Sequence, residues 1–319
     1  MDKISFDPGV LDGTERLIYE LRSLYKSCGY DKFRMSKFEE YDLYVTNKDY
    51  LVSDSVITFT DTNGSLMALK PDVTLSIIKN TKDAPDTVTK LCYNENVYRI
   101  SNNTGSFKEI MQTGLECLGC IDELCIGEVL TLAARSLLQI SPDFILETAQ
   151  LDVLAAFVDE LTHDRDVRND ILKCVNEKNV HSIPRICADN GIDPAMAEDL
   201  ISLVGIYGTP GRVLPMLKEL CAKKNCSEYI ESMEKSLDIL VSEGLGDKVI
   251  IDFSVVSDLK YYNGIIFKGF LKGVPGSVLS GGQYDNLMKR MGRRSRAIGF
   301  AVYLDMLERI LLDSEVASC

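Results

Sequence analysis

Between Asp12 and Cys28 apolar residues return at Leu17, Leu21, Leu24, Tyr25 and Cys28, the spacing of one helical face, and Gly29 follows as a stop. The next stretch, KFRMSKFEEYDLYV, carries Phe33 and Met35 ahead of Glu39 and reads as a strand leading into an acidic turn. In VITFTDTNGSLMALKPD, Ile57 and Phe59 alternate, Asn63-Gly64 supplies a turn and Leu66 to Leu69 return, which predicts a hairpin. Pro71 ends it, because proline offers no ladder donor, and Asp72 is placed to cap a short helix through VTLSIIKN. A longer hairpin is predicted over TKLCYNENVYRISNNTGSFKEIMQTGLECLG, with SNNTG as its loop. GEVLTLAARSLLQI then reads as an amphipathic helix, FILETAQ as a strand and LDVLAAFVDEL as a second helix.

From about Asp164 to Gly246 the text changes: no strand-like run appears, Gly191 and Pro194 interrupt it, and apolar residues recur helically through Leu214, Leu217 and Leu220. This span, 164–246, reads as a helical insertion. KVIIDFS then resumes strands, DFSVVSDLKYYNGIIFKGF predicts a hairpin turning at Asn263-Gly264, and AIGFAVYLDMLERILL reads as a strand passing into a helix. Strands that return by hairpins, with helices between them, imply an α+β fold whose sheet is mainly antiparallel and flanked by helices. Neither a GxxxxGK loop nor a GxGxxG fingerprint is present.

Two of these strands carry unusual faces. Period-two counting puts Gln112, Gly114 and Glu116 on one side and Met111, Thr113 and Leu115 on the other. The glutamine and glutamate then stand roughly 13 Å apart along one strand face. If that face is buried both must be satisfied, and a polar ligand is a natural partner. Tyr261 and Tyr262, as strand neighbours, are expected to point to opposite faces.

Composition acts mainly by exclusion. Lys plus Arg total 35 against 48 for Asp plus Glu among 319 residues, and the net charge of -13 disfavours broad binding to nucleic acid or anionic membrane. No apolar stretch approaches the roughly 20 residues of a membrane helix, and MDKISFDPGV lacks a signal core, so a cytoplasmic protein is expected. Ten cysteines then read as reduced thiols; Cys117-x-x-Cys120 lacks the further ligands of a metal site, and neither a metal nor a cofactor is expected. With only His163 and His181 available, both in the polar middle of the chain, histidine-based catalysis is not expected.

Four segments, LKPDVT, NVYRISNNTGSFKEIMQTGLECLG, DLKYYNGIIF and GGQYDNL with AIGFAVYLDML, resemble in order and spacing the class II aminoacyl-tRNA synthetase core, specifically its histidyl branch. The resemblance covers nearly the whole chain and implies a class II synthetase-like fold. It makes the central hairpin motif 2, with Arg99 ending its first strand, and the last segment motif 3. Departures bear on function. Histidyl synthetases read LVRGLDYY where this chain has VVSDLKYY, placing Ser257 at the catalytic arginine; GRxR is GSFK, placing Ser106 and Lys108 at two arginines; and GLERL is YLDML, placing Met306 at another. Ser36 replaces the motif 1 proline and Lys70 the arginine of LRPxxT. Fixed cations hold a reacting triphosphate, and each lost one can remove roughly 2.7–4 kcal/mol of transition-state stabilisation if an oxyanion-hole donor is a guide. Arg99, Lys108, Ser257 and Met306 therefore mark a vestigial nucleotide site with no catalytic residues.

The amino-acid side is better kept. Gln112 and Glu116 match positions that hold the amino group and imidazole of histidine in the synthetases, Tyr262 matches a pocket tyrosine, and Glu39, Asp72 and Thr74 fall at substrate-side positions. Tyr261 is grouped with them as part of the same hairpin, with packing on the opposite face as its expected role. These residues are read as a histidine-like pocket, or else as satisfied core polars inherited with the fold. After motif 3 only LERILLDSEVASC follows, shorter than the roughly 50 residues of a small domain, so no anticodon-binding domain and no tRNA partner are expected. The basic run KRMGRRSR, Lys289 to Arg296, reads as a solvated loop or as a contact to an acidic partner or phosphate. Taken together the chain resembles the regulatory subunits of short-form ATP phosphoribosyltransferase. That resemblance implies a catalytically silent subunit, self-dimerising through its synthetase-like core and joined to a separate catalytic subunit in a hetero-octamer. It also implies control of the first step of histidine biosynthesis by histidine. The alternative is a truncated synthetase paralogue that activates an amino acid for a small acceptor.

Overall fold

The computed structural model describes residues 8–51, 56–100, 105–255, 261–307 and 310. Asp12 opens the first helix, α1 (Gly13–Ser27), through a capping box with Glu15, and Leu17, Leu21 and Tyr25 form its buried stripe. Two short strands follow, β1 (Asp31–Lys32) and β2 (Phe38–Glu40), and then a short helix, α2 (Tyr41–Thr46), where the sequence had suggested one strand and a turn. The Asn63-Gly64 hairpin is present as β3 (Thr58–Thr60) and β4 (Leu66–Leu69), which form a small sheet in the order β2-β4-β3. Asp72 caps α3 (Val73–Asn80) by accepting from Leu75 N at 2.9 Å.

The long predicted hairpin consists of β5 (Val88–Ile100) and β6 (Phe107–Gly119), paired along their whole lengths; residues 101–104 of its loop lie outside the described residues. Next come α4 (Glu123–Ile140), β7 (Phe144–Gln150) and α5 (Leu151–Leu161). The span 164–246, read from the sequence as an insertion, contains α6 (Arg165–Asn176), α7 (Ile183–Asp189), α8 (Glu198–Val204), α9 (Pro210–Cys221) and α10 (Ser227–Ser242). It also holds one two-residue strand, β8 (Tyr207–Gly208), too short to show as a periodic pattern. The chain closes through β9 (Val249–Asp252), β10 (Asn263–Leu271), β11 (Leu279–Gln283), α11 (Asp285–Arg290) and β12 (Arg296–Tyr303). After β12 the described chain makes a 3-10 turn at Leu304–Leu307 where a helix was expected.

The main sheet has nine strands in the order β1-β5-β6-β12-β11-β10-β7-β9-β8, antiparallel except for the β1/β5 and β7/β9 pairs. Its two faces are occupied differently. Leu115 and Cys117 of β6 enter a core built with α1, α4, α5 and the insertion helices, including Leu217, Met233 and Leu237. Leu118 joins a second core with α3, α11, Tyr93, Tyr261 and Tyr284. The insertion therefore packs into the same apolar core as the sheet. The even-numbered residues of β6 face the second core, and the cavity opens there.

One expectation fails in an instructive way. Asn263-Gly264 does not turn a hairpin: it starts β10, which pairs with β7 and β11, while β9 pairs with β7 and β8. The register slips between Asn263 and Ile266, a bulge, and Gly264 at φ 64° supplies the left-handed residue that a bulge needs as much as a turn does. A Cβ on Gly264 would stand 2.1 Å from Gln283 Oε1 and would displace the side-chain amide that accepts from Ile265 N.

Candidate functional site

A cavity of about 290 Å³ lies between β6, β12, β11 and the start of α3. Its floor is the polar face read from the sequence: Gln112 and Glu116 both line it and are 3% and 2% exposed. Thr74, in the first turn of α3, donates to Glu116 Oε1 at 2.7 Å, and Tyr284 OH donates to Oε2 at 2.6 Å. Desolvation nevertheless pushes the Glu116 pKa up to about 8, with the two hydroxyls opposing and the Asp72 charge reinforcing the rise. Burial raises Asp72 as well, against its backbone hydrogen bonds and Arg99. Gly299, opposite Glu116 in the ladder, has to be bare, since a Cβ there would stand 1.8 Å from Oε2.

Gln112 is the exception to local satisfaction. Its Nε2 is buried and has no hydrogen-bond partner. Leaving such a donor unpaired costs about 1–3 kcal/mol. Arg99 lines the same cavity and is steadied by its Nε donating to Pro71 O at 3.0 Å. It is the one cation among the described residues of the lining, facing the two acids Asp72 and Glu116. Lys70 is fully buried behind this wall and pairs with Glu95 at 3.0 Å; burial lowers its pKa while Glu95 opposes.

Tyr261 and Tyr262 both line the cavity, contrary to the expectation of opposite faces. They precede β10 rather than lie within it, so strand alternation does not govern them, and their rings meet edge-on at 4.7 Å. Tyr284 packs 6.0 Å from Tyr261. Desolvation lifts the phenols of Tyr93, Tyr261, Tyr262 and Tyr284 well above their ordinary value, which keeps them as protonated donors. Tyr93, Tyr284 and Tyr303, with Ser277 and Ser280, also line the cavity, and the sequence had singled out none of them.

Other expected residues fall elsewhere. Glu39 is not among the lining residues; it accepts from Lys79 Nζ at 2.7 Å and Asn80 Nδ2 at 3.3 Å on the outer side of α3. Lys108 is on the same strand face as Gln112 but exposed near the hairpin tip, and Met306 is 36% exposed after β12; neither lines the cavity. Ser257 lies outside the described residues. In the basic run, Arg293 donates to Ile78 O at 2.8 Å and Arg296 to Asp285 at 2.9 Å and Ile121 O at 2.8 Å, so much of its charge is committed to the protein itself. Among the described residues no group of three or more His, Cys, Asp and Glu could hold a metal, and no helix is long and apolar enough to cross a membrane.

A helix-flanked mixed sheet with a polar cavity at the root of a long hairpin is the architecture of a class II aminoacyl-tRNA synthetase core. A solved ATP phosphoribosyltransferase regulatory subunit/histidyl-tRNA synthetase from Bacillus halodurans C shares this fold, with a TM-score of 0.81 over 98% of this chain and 84% of that one at 22% identity. The family model described as histidyl-tRNA synthetase matches residues 6–307. An ATP phosphoribosyltransferase regulatory subunit from Caldanaerobacter subterraneus subsp. tengcongensis is 31% identical over 92% of this chain and 76% of the relative. The chain thus belongs to the histidyl-tRNA synthetase family, and within it to the ATP phosphoribosyltransferase regulatory subunits. A chain of the ATP phosphoribosyl transferase (HisG:HisZ) complex from Thermotoga maritima has the same fold, with a TM-score of 0.68 over 95% of this chain and 98% of that one at 18% identity.

Proposed function

We propose that this chain has no catalytic activity of its own and regulates a separate ATP phosphoribosyltransferase catalytic subunit in the cytoplasm, with histidine bound in the cavity as the signal. The observation that carries the ligand is the buried Gln112 Nε2 without a partner, in a cavity that is also lined by Asp72, Glu116 and Arg99. An amino acid with a basic side chain brings an acceptor for the Gln112 amide, a carboxylate for the arginine, and N–H donors to set against the two acids. Silence in catalysis follows from the cations. Lys108 and Met306 stand away from the cavity, and one arginine cannot spread the charge of a reacting triphosphate. The chain in this reading is a single synthetase-type unit including the insertion at 164–246; it self-dimerises and joins the catalytic subunit in a hetero-octamer without engaging tRNA. Regulation then requires that histidine bind two assembled states with different affinity.

Calorimetric titration of L-histidine into the full chain and into Glu116→Ala tests the pocket. The expected result is saturable binding that weakens at least about tenfold in the variant, which is about 1.4 kcal/mol. Equal affinities would place histidine elsewhere. The synthetase-paralogue alternative predicts histidine-dependent exchange of pyrophosphate into ATP, and our reading predicts none.

A further inference from the structure

The two strands of the cavity floor differ at their ends. In the β6/β12 ladder Glu116 stands opposite Gly299, Gly114 opposite Ala301 and Gln112 opposite Tyr303. Directly paired residues of an antiparallel ladder project from the same face. The floor therefore runs from a bare glycine beside Glu116 to a large aromatic ring beside Gln112. Tyr303 shares its end with Arg99, which lies on β5 beyond Glu95, the partner of Gln112; burial raises the Tyr303 pKa, with Arg99 and Ser280 opposing.

The charge pattern fixes which way round an amino acid lies. Arg99, beyond Glu95 on β5, is the one cation among the described residues of the lining, so the ligand's carboxylate is drawn to that end and its basic groups toward Glu116 at the other. Anything bonded through the carboxylate then extends into the space that Tyr303 fills. We propose that Tyr303 sets the length of ligand this cavity accepts, admitting a free amino acid and rejecting one whose carboxylate carries a nucleotide. The proposal rests on the amino-acid reading above and adds to it a residue that determines specificity.

The test compares L-histidine with 5′-O-(histidylsulfamoyl)adenosine, a stable stand-in for a histidyl adenylate, by calorimetry on the full chain. Wild type is expected to bind histidine at least about tenfold tighter than the analogue, and Tyr303→Phe, which keeps the ring, to preserve that order. Tyr303→Gly is expected to bring the analogue to within about threefold of histidine or beyond it, with histidine itself changed less than about threefold. Wild-type binding of the analogue as tight as histidine, or an unchanged ratio in Tyr303→Gly, would overturn the proposal. Should Tyr303→Gly lose its cooperative melt, Tyr303→Ser supplies the same comparison, and the wild-type ratio alone can still contradict it. A wild-type chain that binds neither compound would defeat the amino-acid reading itself, and this inference with it.

Discussion

Two hydroxyls, from Thr74 and Tyr284, reach the Glu116 carboxyl, yet burial still raises its pKa from 4.5 to about 8. In the unfolded chain the group titrates at its ordinary value, so between the two values the folded protein holds the extra proton. Its contribution to stability is therefore fully present below about pH 4.5 and is lost as pH rises through about 8; Asp72, also raised by burial, has the same sign. Glu116→Gln removes the titration while keeping the shape. Urea midpoints at acidic, neutral and mildly alkaline pH are expected to show the variant gaining on wild type as pH climbs, by on the order of a few kcal/mol in total. A gap that stays constant with pH would contradict the raised pKa. At this scale Gln112 and Glu116 were legible in the sequence, because polar residues interrupt a strand face that should be apolar, while Asp72 and Thr74 came to the lining through the family resemblance. Tyr93, Tyr284 and Tyr303 were not, because an aromatic residue in a strand looks the same whether its ring fills a core or walls a cavity. Glu39 misled for the converse reason: an acid in an acidic turn gives no hint of a lysine, Lys79, waiting on the neighbouring helix.

At the scale of elements, periodicity recovered α1, α3, α4, α5 and the β5/β6 hairpin, whose signals run over many residues or end in a cap. Asn-Gly was read twice as a turn and was one only once. At Asn63-Gly64 the glycine at φ 83° has open space around its α-carbon and β3 returns into β4. At Gly264 a similar backbone serves a bulge, and what distinguishes it is Gln283, a distant residue whose Oε1 accepts from Ile265 N at 2.9 Å. Alanine should therefore be costlier at Gly264 than at Gly64. About 1 kcal/mol is expected for Gly64→Ala, from the left-handed backbone alone, and about 2–4 kcal/mol for Gly264→Ala, where the Gln283 contact is also broken. Denaturant unfolding of the two variants measures this; equal losses would mean that the close approach to Gln283 is not what requires the glycine.

At the scale of the molecule, the helices of 164–246 are bound into the main apolar core through α10 on α4 and through Leu217, Met233 and Leu237. A displacement in the helices can therefore be felt by the sheet that carries the cavity, and the reverse. The family assignment was reached from motif order, and the regulatory reading from cations that had been replaced. The most direct test of that reading is the rate of ATP phosphoribosyltransferase catalysis by the separate catalytic subunit, measured across a histidine titration with wild-type chain, with Glu116→Gln chain and with none. Our account predicts activity that depends on adding the chain, inhibition by histidine with wild type, and a shift of that inhibition to at least about tenfold higher histidine with the variant. Activity indifferent to the chain, or inhibition at the same histidine concentration with both forms, would contradict it.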